Sequence, residues 1–84
     1  MTDEQKEMLR LFAEWLKTIP QKNITEKEDC FLIHKTIPEE IRKLTGTVYA
    51  AGILIIYKTK RENGFFGQRK TTEASGVLER HLAK

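Results

Sequence analysis

One cysteine, Cys30, stands among 84 residues. No intrachain disulfide can therefore form, and the cross-linked frameworks of small secreted domains are excluded. A cytoplasmic location is the expectation. Long apolar runs are also lacking. The longest, Val48 to Tyr57, has ten residues with Gly52 included, against the ~20 that a membrane-spanning helix requires. Met1 is followed by Thr-Asp-Glu-Gln-Lys-Glu, which has neither the basic start nor the apolar stretch of a secretory signal. No membrane association is expected.

The ingredients of catalysis are equally thin, and no cofactor is implied. Metal binding needs several converging ligands, and the chain offers Cys30, His34 and the distant His81. Cys30-x-x-x-His34 is half a site at most. A buried thiol near a partly exposed imidazole accounts for it without a metal. Neither Ser75 nor Cys30 has a neighbouring base that would activate it as a nucleophile. The carboxylates Glu39-Glu40 and Glu26-x-Glu28 are the acids expected at helix starts from the macrodipole. Gly64-Phe-Phe-Gly67 lacks the Gly-Lys-Ser/Thr ending of a phosphate-cradling loop. The expectation is a protein that is not an enzyme.

Acidic residues are scarce in one half only. Met1 to Glu40 hold six Lys/Arg against nine Asp/Glu, whereas Ile41 to Lys84 hold nine against three. A −3 half thus precedes a +6 half, and any surface for an anion belongs late in the chain. With 39% apolar and 32% charged residues the chain has the composition of a folded globular domain. At this length folding buries only about 60–65% of the unfolded surface, so a second copy would help stability. We read residues 1–84 as one domain.

Thr2 can cap a helix from about Asp3 to Thr18, with Met8, Leu9, Phe12, Trp15, Leu16 and Ile19 on one face and Glu4, Glu7, Glu14 and Lys17 on the other. Trp15 on that stripe reads as core. Pro20 and Gln21-Lys22-Asn23 end the helix. Between Glu28 and Lys35, Thr25-x-x-Glu28 resembles a capping box, but Cys30-Phe-Leu-Ile-His34 is the short apolar run of a buried strand, and strand is the reading adopted. Thr36-x-x-Glu39 with Pro38 opens a short helix that turns Ile37, Ile41 and Leu44 inward and stops at Gly46. Thr47 to Lys60 reads as a single central strand covered on both faces, with Gly52 at a bulge or a close approach. Arg61-Glu-Asn-Gly64 then turns the chain, and Phe65 to Thr71 returns as the partner strand. Thr71 or Thr72 caps a last helix whose stripe is Ala74, Val77, Leu78 and Leu82. The fold class expected is α+β: helix, strand, short helix, β-hairpin and helix, with a small antiparallel sheet covered by the terminal helices.

The feature with chemical consequence is the basic hairpin. Lys58, Lys60, Arg61, Arg69 and Lys70 lie on its two arms with Phe65 and Phe66 between them, and Glu62 is the one acid among them. Such a cluster attracts phosphates, and aromatic rings beside it can stack on unpaired bases. Charges at strand ends also protect edges from aggregation, and a phenylalanine packed beneath the hairpin would serve the core. The nucleic-acid-binding set read from the sequence is Lys58, Lys60, Arg61, Phe65, Arg69 and Lys70.

Gly64-Phe-Phe-Gly-Gln-Arg-Lys-Thr-Thr-Glu-Ala74, after a hydrophobic strand and opening a helix, resembles the closing portion of a double-stranded-RNA-binding domain. The resemblance covers the last third of the chain. It implies a helix, three antiparallel strands and a helix, with Arg69 and Lys70 gripping phosphates across a groove. Ser75-Gly-Val-Leu-Glu-Arg80 stands where that family has an alanine-rich helix body. A winged-helix arrangement competes. It needs Glu28 to Lys35 helical and makes Pro38 to Leu44, mixed in sign, the recognition helix.

Two functions follow as expectations. The first is a module that binds DNA or RNA through phosphates with little sequence preference. The second is a small inhibitor or accessory factor that occupies a protein partner's surface, or a homodimer, because in so short a chain any part of a central apolar strand that the two terminal helices leave uncovered is an interface.

Overall fold

The computed structural model describes residues 2–61 and 69–84, with backbone alone for residues 60, 61, 69 and 70. Helix α1 spans Asp3–Leu16, and the Thr2 hydroxyl accepts the Gln5 N–H at 3.1 Å. Asp3 and Glu4 in its first turn suit the positive end of the helix dipole. Phe12 and Leu16 have no exposed surface, and Trp15 is half-buried with its ring 6.0 Å from that of Phe12. On the solvent side Arg10 bridges Glu7 and Glu14, and its hydrogen bonds to Glu7 hold that carboxyl below the usual carboxylate range. The helix ends at Leu16 rather than Thr18, because the Thr18 hydroxyl donates to the Trp15 carbonyl at 2.7 Å and the backbone tightens there.

A 3-10 turn, Gln21–Asn23, leads into β1 (Ile24–Glu26) and β2 (Cys30–Ile33). The strand expected around Cys30 is present. Its partner β1 was hidden in the sequence because a three-residue edge strand is too short to show alternation, and Thr25 lies in it instead of capping a helix. An extended Cys30–Ile33 also excludes the winged-helix arrangement. From Ile37 to Leu44 the expected helix is reduced to one 3-10 turn, Glu39–Ile41, although Ile37, Ile41 and Leu44 are all buried as the spacing requires. Gly46 follows with φ +89°, the left-handed conformation read from its position.

The central correction concerns residues 47–60. They form no single strand. Thr47–Ala50 is β3, Ile53–Tyr57 is β4, and Ala51 and Gly52 turn the chain between them with φ of 54° and 78°. Two central residues with positive φ make the tight turn that matches the twist of a hairpin, so Gly52 marks a reversal and neither a bulge nor a close approach. Apolar residues continue without a break through the turn, because Ala50-Ala51 carries no polar signal. The chain then bends at Lys58 into β5 (Thr59–Arg61), which pairs with β6 (Arg69–Thr71). The turn read at Arg61 to Gly64 and the strand start at Phe65 lie largely outside the described residues. Helix α2, Glu73–Leu82, is capped by Thr72, whose hydroxyl accepts the Ser75 N–H at 3.2 Å.

All pairings among the described residues are antiparallel. The main sheet has the order β1-β2-β4-β3, and β5-β6 forms a separate two-stranded ribbon. The register places Phe31, Ile33, Leu54 and Ile56 on one face, where they join Phe12, Leu16, Ala74 and Leu78 in the core. Burying each large apolar side chain contributes about 1.5–3 kcal/mol, so this layer holds the two helices to the sheet. Cys30, Leu32, Val48, Ile53, Ile55 and Tyr57 fall on the other face by the same register. Of these only Cys30 is buried, and Val48 and Tyr57 are 45% and 42% exposed. The expected α+β class is present, but the helices cover one face only, so the strand expected to be covered twice has a partly exposed second face.

Candidate nucleic-acid interface

The ribbon takes off from a fixed root. The Lys58 N–H donates to the Asp29 carbonyl at 3.0 Å, and the Lys58 carbonyl accepts the Thr72 N–H at 3.3 Å and the Ser75 hydroxyl at 3.0 Å. The Thr72 hydroxyl donates to the Tyr57 carbonyl at 2.6 Å while capping α2. Ser75 is completely buried, and Thr72 is 7% exposed. One small knot of hydroxyls thus joins the end of β4, the start of the ribbon and the first turn of α2. Buried polar groups satisfied in this way rigidify their surroundings.

Gly46 completes the knot. A Cβ at that position would stand 2.9 Å from the Thr72 Cβ, so only glycine lets the β3 lead-in pass this close. The Tyr57 N–H donates to the Gly46 carbonyl at 3.0 Å across the same spot.

Beyond the root, the register sets Thr59 opposite Thr71, Lys60 opposite Lys70 and Arg61 opposite Arg69. Two successive cross-strand positions therefore carry like-charged pairs, lysine on lysine and arginine on arginine. Like charges directly opposite each other destabilise a strand pair, by up to about 1 kcal/mol per pair. Successive register positions belong to alternate faces of a ribbon. Four of the six residues read from the sequence are thus paired along one ribbon, the lysine pair at a position of one face and the arginine pair at a position of the other.

The other two stand differently. Lys58 has 21% of its side chain exposed, its Nζ lies 2.8 Å from Glu26 Oε2, and the ammonium sits 4.9 Å from the centre of the Phe31 ring. That cation is engaged within the fold, by a carboxylate of the acidic half. Phe65 lies outside the described residues. On the far side of the root, Cys30 is buried, and burial together with the neighbouring Asp29 pushes its thiol above the ordinary range. An unreactive thiol of this kind is structural. His34 is exposed, and no group of three or more metal-ligating side chains occurs among the described residues.

A second collection of cations escaped the sequence reading. Lys17 ends α1, while Arg80, His81 and Lys84 lie at or beyond the last turn of α2, and the four meet around one depression. Separation along the chain hid it. The available signal was that basic residues close both helices.

No protein-family model, no curated protein and no solved structure matches the chain. The resemblance of residues 64–74 to a double-stranded-RNA-binding domain thus stays local. The sheet here has four strands in the order β1-β2-β4-β3, and residues 69–71 belong to the separate ribbon. No helix among the described residues is long and apolar enough to cross a membrane.

Proposed function

We propose that this chain is a non-enzymatic nucleic-acid-binding module whose contact element is the β5–β6 ribbon, with the start of α2 behind it. The observation that carries the reading is the register of the ribbon: Lys60 on Lys70 and Arg61 on Arg69. A ribbon built only to close the fold gains nothing from facing each cation with another. A phosphate backbone reverses the sign of that term, because each pair then shares an anion. Arg61, Lys60, Arg69 and Lys70 are assigned to phosphates, and Phe65 to stacking on an exposed base. Lys58 is assigned to the root, since Glu26 already neutralises it. Backbone contacts of this sort position a protein without reading sequence, so discrimination among sequences is low.

The experiment is a binding titration at low salt against single- and double-stranded DNA and RNA, with wild type and a Lys60→Gln, Arg61→Gln, Arg69→Gln, Lys70→Gln variant. The expected result is measurable affinity for at least one of the four, reduced at least tenfold in the variant. Equal affinity of both proteins, or none for any polymer, refutes the assignment.

One observation favours a second reading, self-association of a cytoplasmic protein. No charged residue occurs between Lys43 and Lys58, and β3 within that stretch is a sheet edge. Edge strands are ordinarily guarded by lysine, proline or a bulge, and β3 has none of these. Its pairing with β4 alternates so that the N–H and C=O groups of Thr47 and Tyr49 face the open edge. A second copy paired antiparallel about a twofold axis at Val48 would satisfy them with no like-charge contact. Sedimentation at rising concentration with wild type and Val48→Lys tests this. A weak dimer lost in the variant is expected, and a monomer at every concentration overturns it.

A further inference from the structure

We infer that the depression between the C-terminal ends of α1 and α2 is a second phosphate-contacting site for the same nucleic acid, an inference that rests on the ribbon reading above. The depression has a volume of about 270 Å³ and is lined by Ala13, Lys17, Val77, Arg80, His81 and Lys84. Ala13 and Val77 form an apolar floor. Every polar side chain of the lining is basic.

Cations near helix C-termini have an ordinary explanation in the macrodipole, and its size decides whether that explanation suffices. Each helix end carries about half a negative charge, so the two ends together amount to roughly −1. Lys17, Arg80 and Lys84 bring three positive charges, before any contribution from His81. Counting a carboxylate at a chain end beside Lys84 still leaves the balance positive. Among the described residues, none of these cations forms an ion pair; the salt bridges present join Arg10 to Glu7 and Glu14 and Lys58 to Glu26. Within the described residues the surplus has no partner of opposite sign. An anion supplies one.

The geometry connects this site to the ribbon. Helix α2 runs from the root knot at Thr72 to the depression, and nine residues from Thr72 to His81 span about 14 Å at 1.5 Å per residue. The interval matches roughly four base-pair steps of rise along a duplex axis, at 3.4 Å each. Arg80 shortens the gap. Its guanidinium folds back over Gly76, with Nη1 3.5 Å from where a Cβ at that position would stand. That is an ordinary contact distance, so the guanidinium lies against the helix surface at Gly76, one turn nearer the ribbon than the Arg80 backbone. A backbone lying along α2 would meet the ribbon at one end and the basic depression at the other.

The test compares three full-length proteins: wild type, Lys17→Gln/Arg80→Gln/Lys84→Gln, and the ribbon variant described above. All three substitutions at the depression are at exposed positions, and circular dichroism confirms that each protein is folded. The readout is the slope of log K against log[salt] for a 20-base-pair duplex. Removing one cation from a phosphate lowers the slope by about 0.9, so the depression variant should lose about 2.7 while the ribbon contacts persist. A slope equal to wild type overturns the inference and leaves the ribbon reading in place. Loss of binding only in the ribbon variant, with the depression variant unchanged, overturns it equally. In parallel, inorganic pyrophosphate is titrated while amide and imidazole resonances of Ala13, Val77 and His81 are followed. Shifts at these residues in wild type, absent from the depression variant, support the site. No shift overturns it, whatever the ribbon does. Wild type without affinity for any nucleic acid removes both assignments.

Discussion

Replacing Gly46 by alanine tests the knot on which the ribbon stands. Two costs arise at that position. The left-handed backbone, φ +89°, penalises any residue with a Cβ by about 1–2 kcal/mol. The new methyl would also stand 2.9 Å from the Thr72 Cβ, which belongs to a buried cap and cannot swing away as a long flexible side chain can. Forcing an extra methyl into a packed site costs about 1–3 kcal/mol. If Thr72 moves to make room, its cap on α2 weakens by about 1 kcal/mol more. The sum is about 3–6 kcal/mol. In a domain of this size each kcal/mol lowers Tm by about 4–8 °C, so a fall of at least about 12 °C is expected.

Gly52→Ala is the matched control. Its φ is +78°, yet nothing stands within 4 Å of a Cβ there, so only the backbone cost of about 1–2 kcal/mol applies. Thermal melts followed by circular dichroism measure both variants. Hydrogen exchange adds a local readout: Gly46→Ala should speed exchange at the Thr72 and Ser75 amides, and Gly52→Ala should not. Equal Tm values for the two variants would refute the reasoning, because they would show that the contact with Thr72 carries no energy.

Ala51 holds φ 54° in the β3–β4 turn, so Ala51→Asn, which tolerates that conformation, should raise stability by about 0.5–1 kcal/mol in a denaturant titration. Lys58→Met keeps the stem over Phe31 but removes the ion pair to the exposed Glu26. The expected loss is within about 1 kcal/mol, and affinity for nucleic acid should not change. The Cys30 thiol should alkylate slowly in the folded protein and rapidly in denaturant, as mass spectrometry would show. Because burial raises that thiol's pKa, the native state holds its proton longer than the unfolded chain does. Stability should therefore be level below about pH 8.5 and fall as pH rises above it, and the fall should vanish in Cys30→Ala.

The parts of the fold visible in the sequence were those with a periodic apolar stripe and a cap. Helix α1 and its Thr2 cap, helix α2 with a cap at Thr71 or Thr72, of which the structure uses Thr72, and the buried set Ile37, Ile41 and Leu44 were all legible, because burial follows spacing. The hairpin within residues 47–57 was not. Ala51 occupies a left-handed position that the sequence gives no reason to expect of alanine, and apolar residues run through the turn. Strand β1 was invisible because three residues at an edge need no pattern. At the candidate site, clustering of Lys60, Arg61, Arg69 and Lys70 could be read from their nearness in the chain, and the register made it specific. The engagement of Lys58 by Glu26 could not be read, since it joins residues 32 positions apart. The same distance problem separated Lys17 from Arg80.

The most direct measurement of the central claim is an amide chemical-shift map of the full chain on addition of a short nucleic acid at low salt. Signals of Thr59 to Arg61 and Arg69 to Thr72 should move in proportion to occupancy and return as salt is raised, while those of Val48 to Ile55 on the open sheet stay in place. Shifts confined to the open sheet or to the acidic face of α1, with the ribbon silent at saturation, would contradict the account.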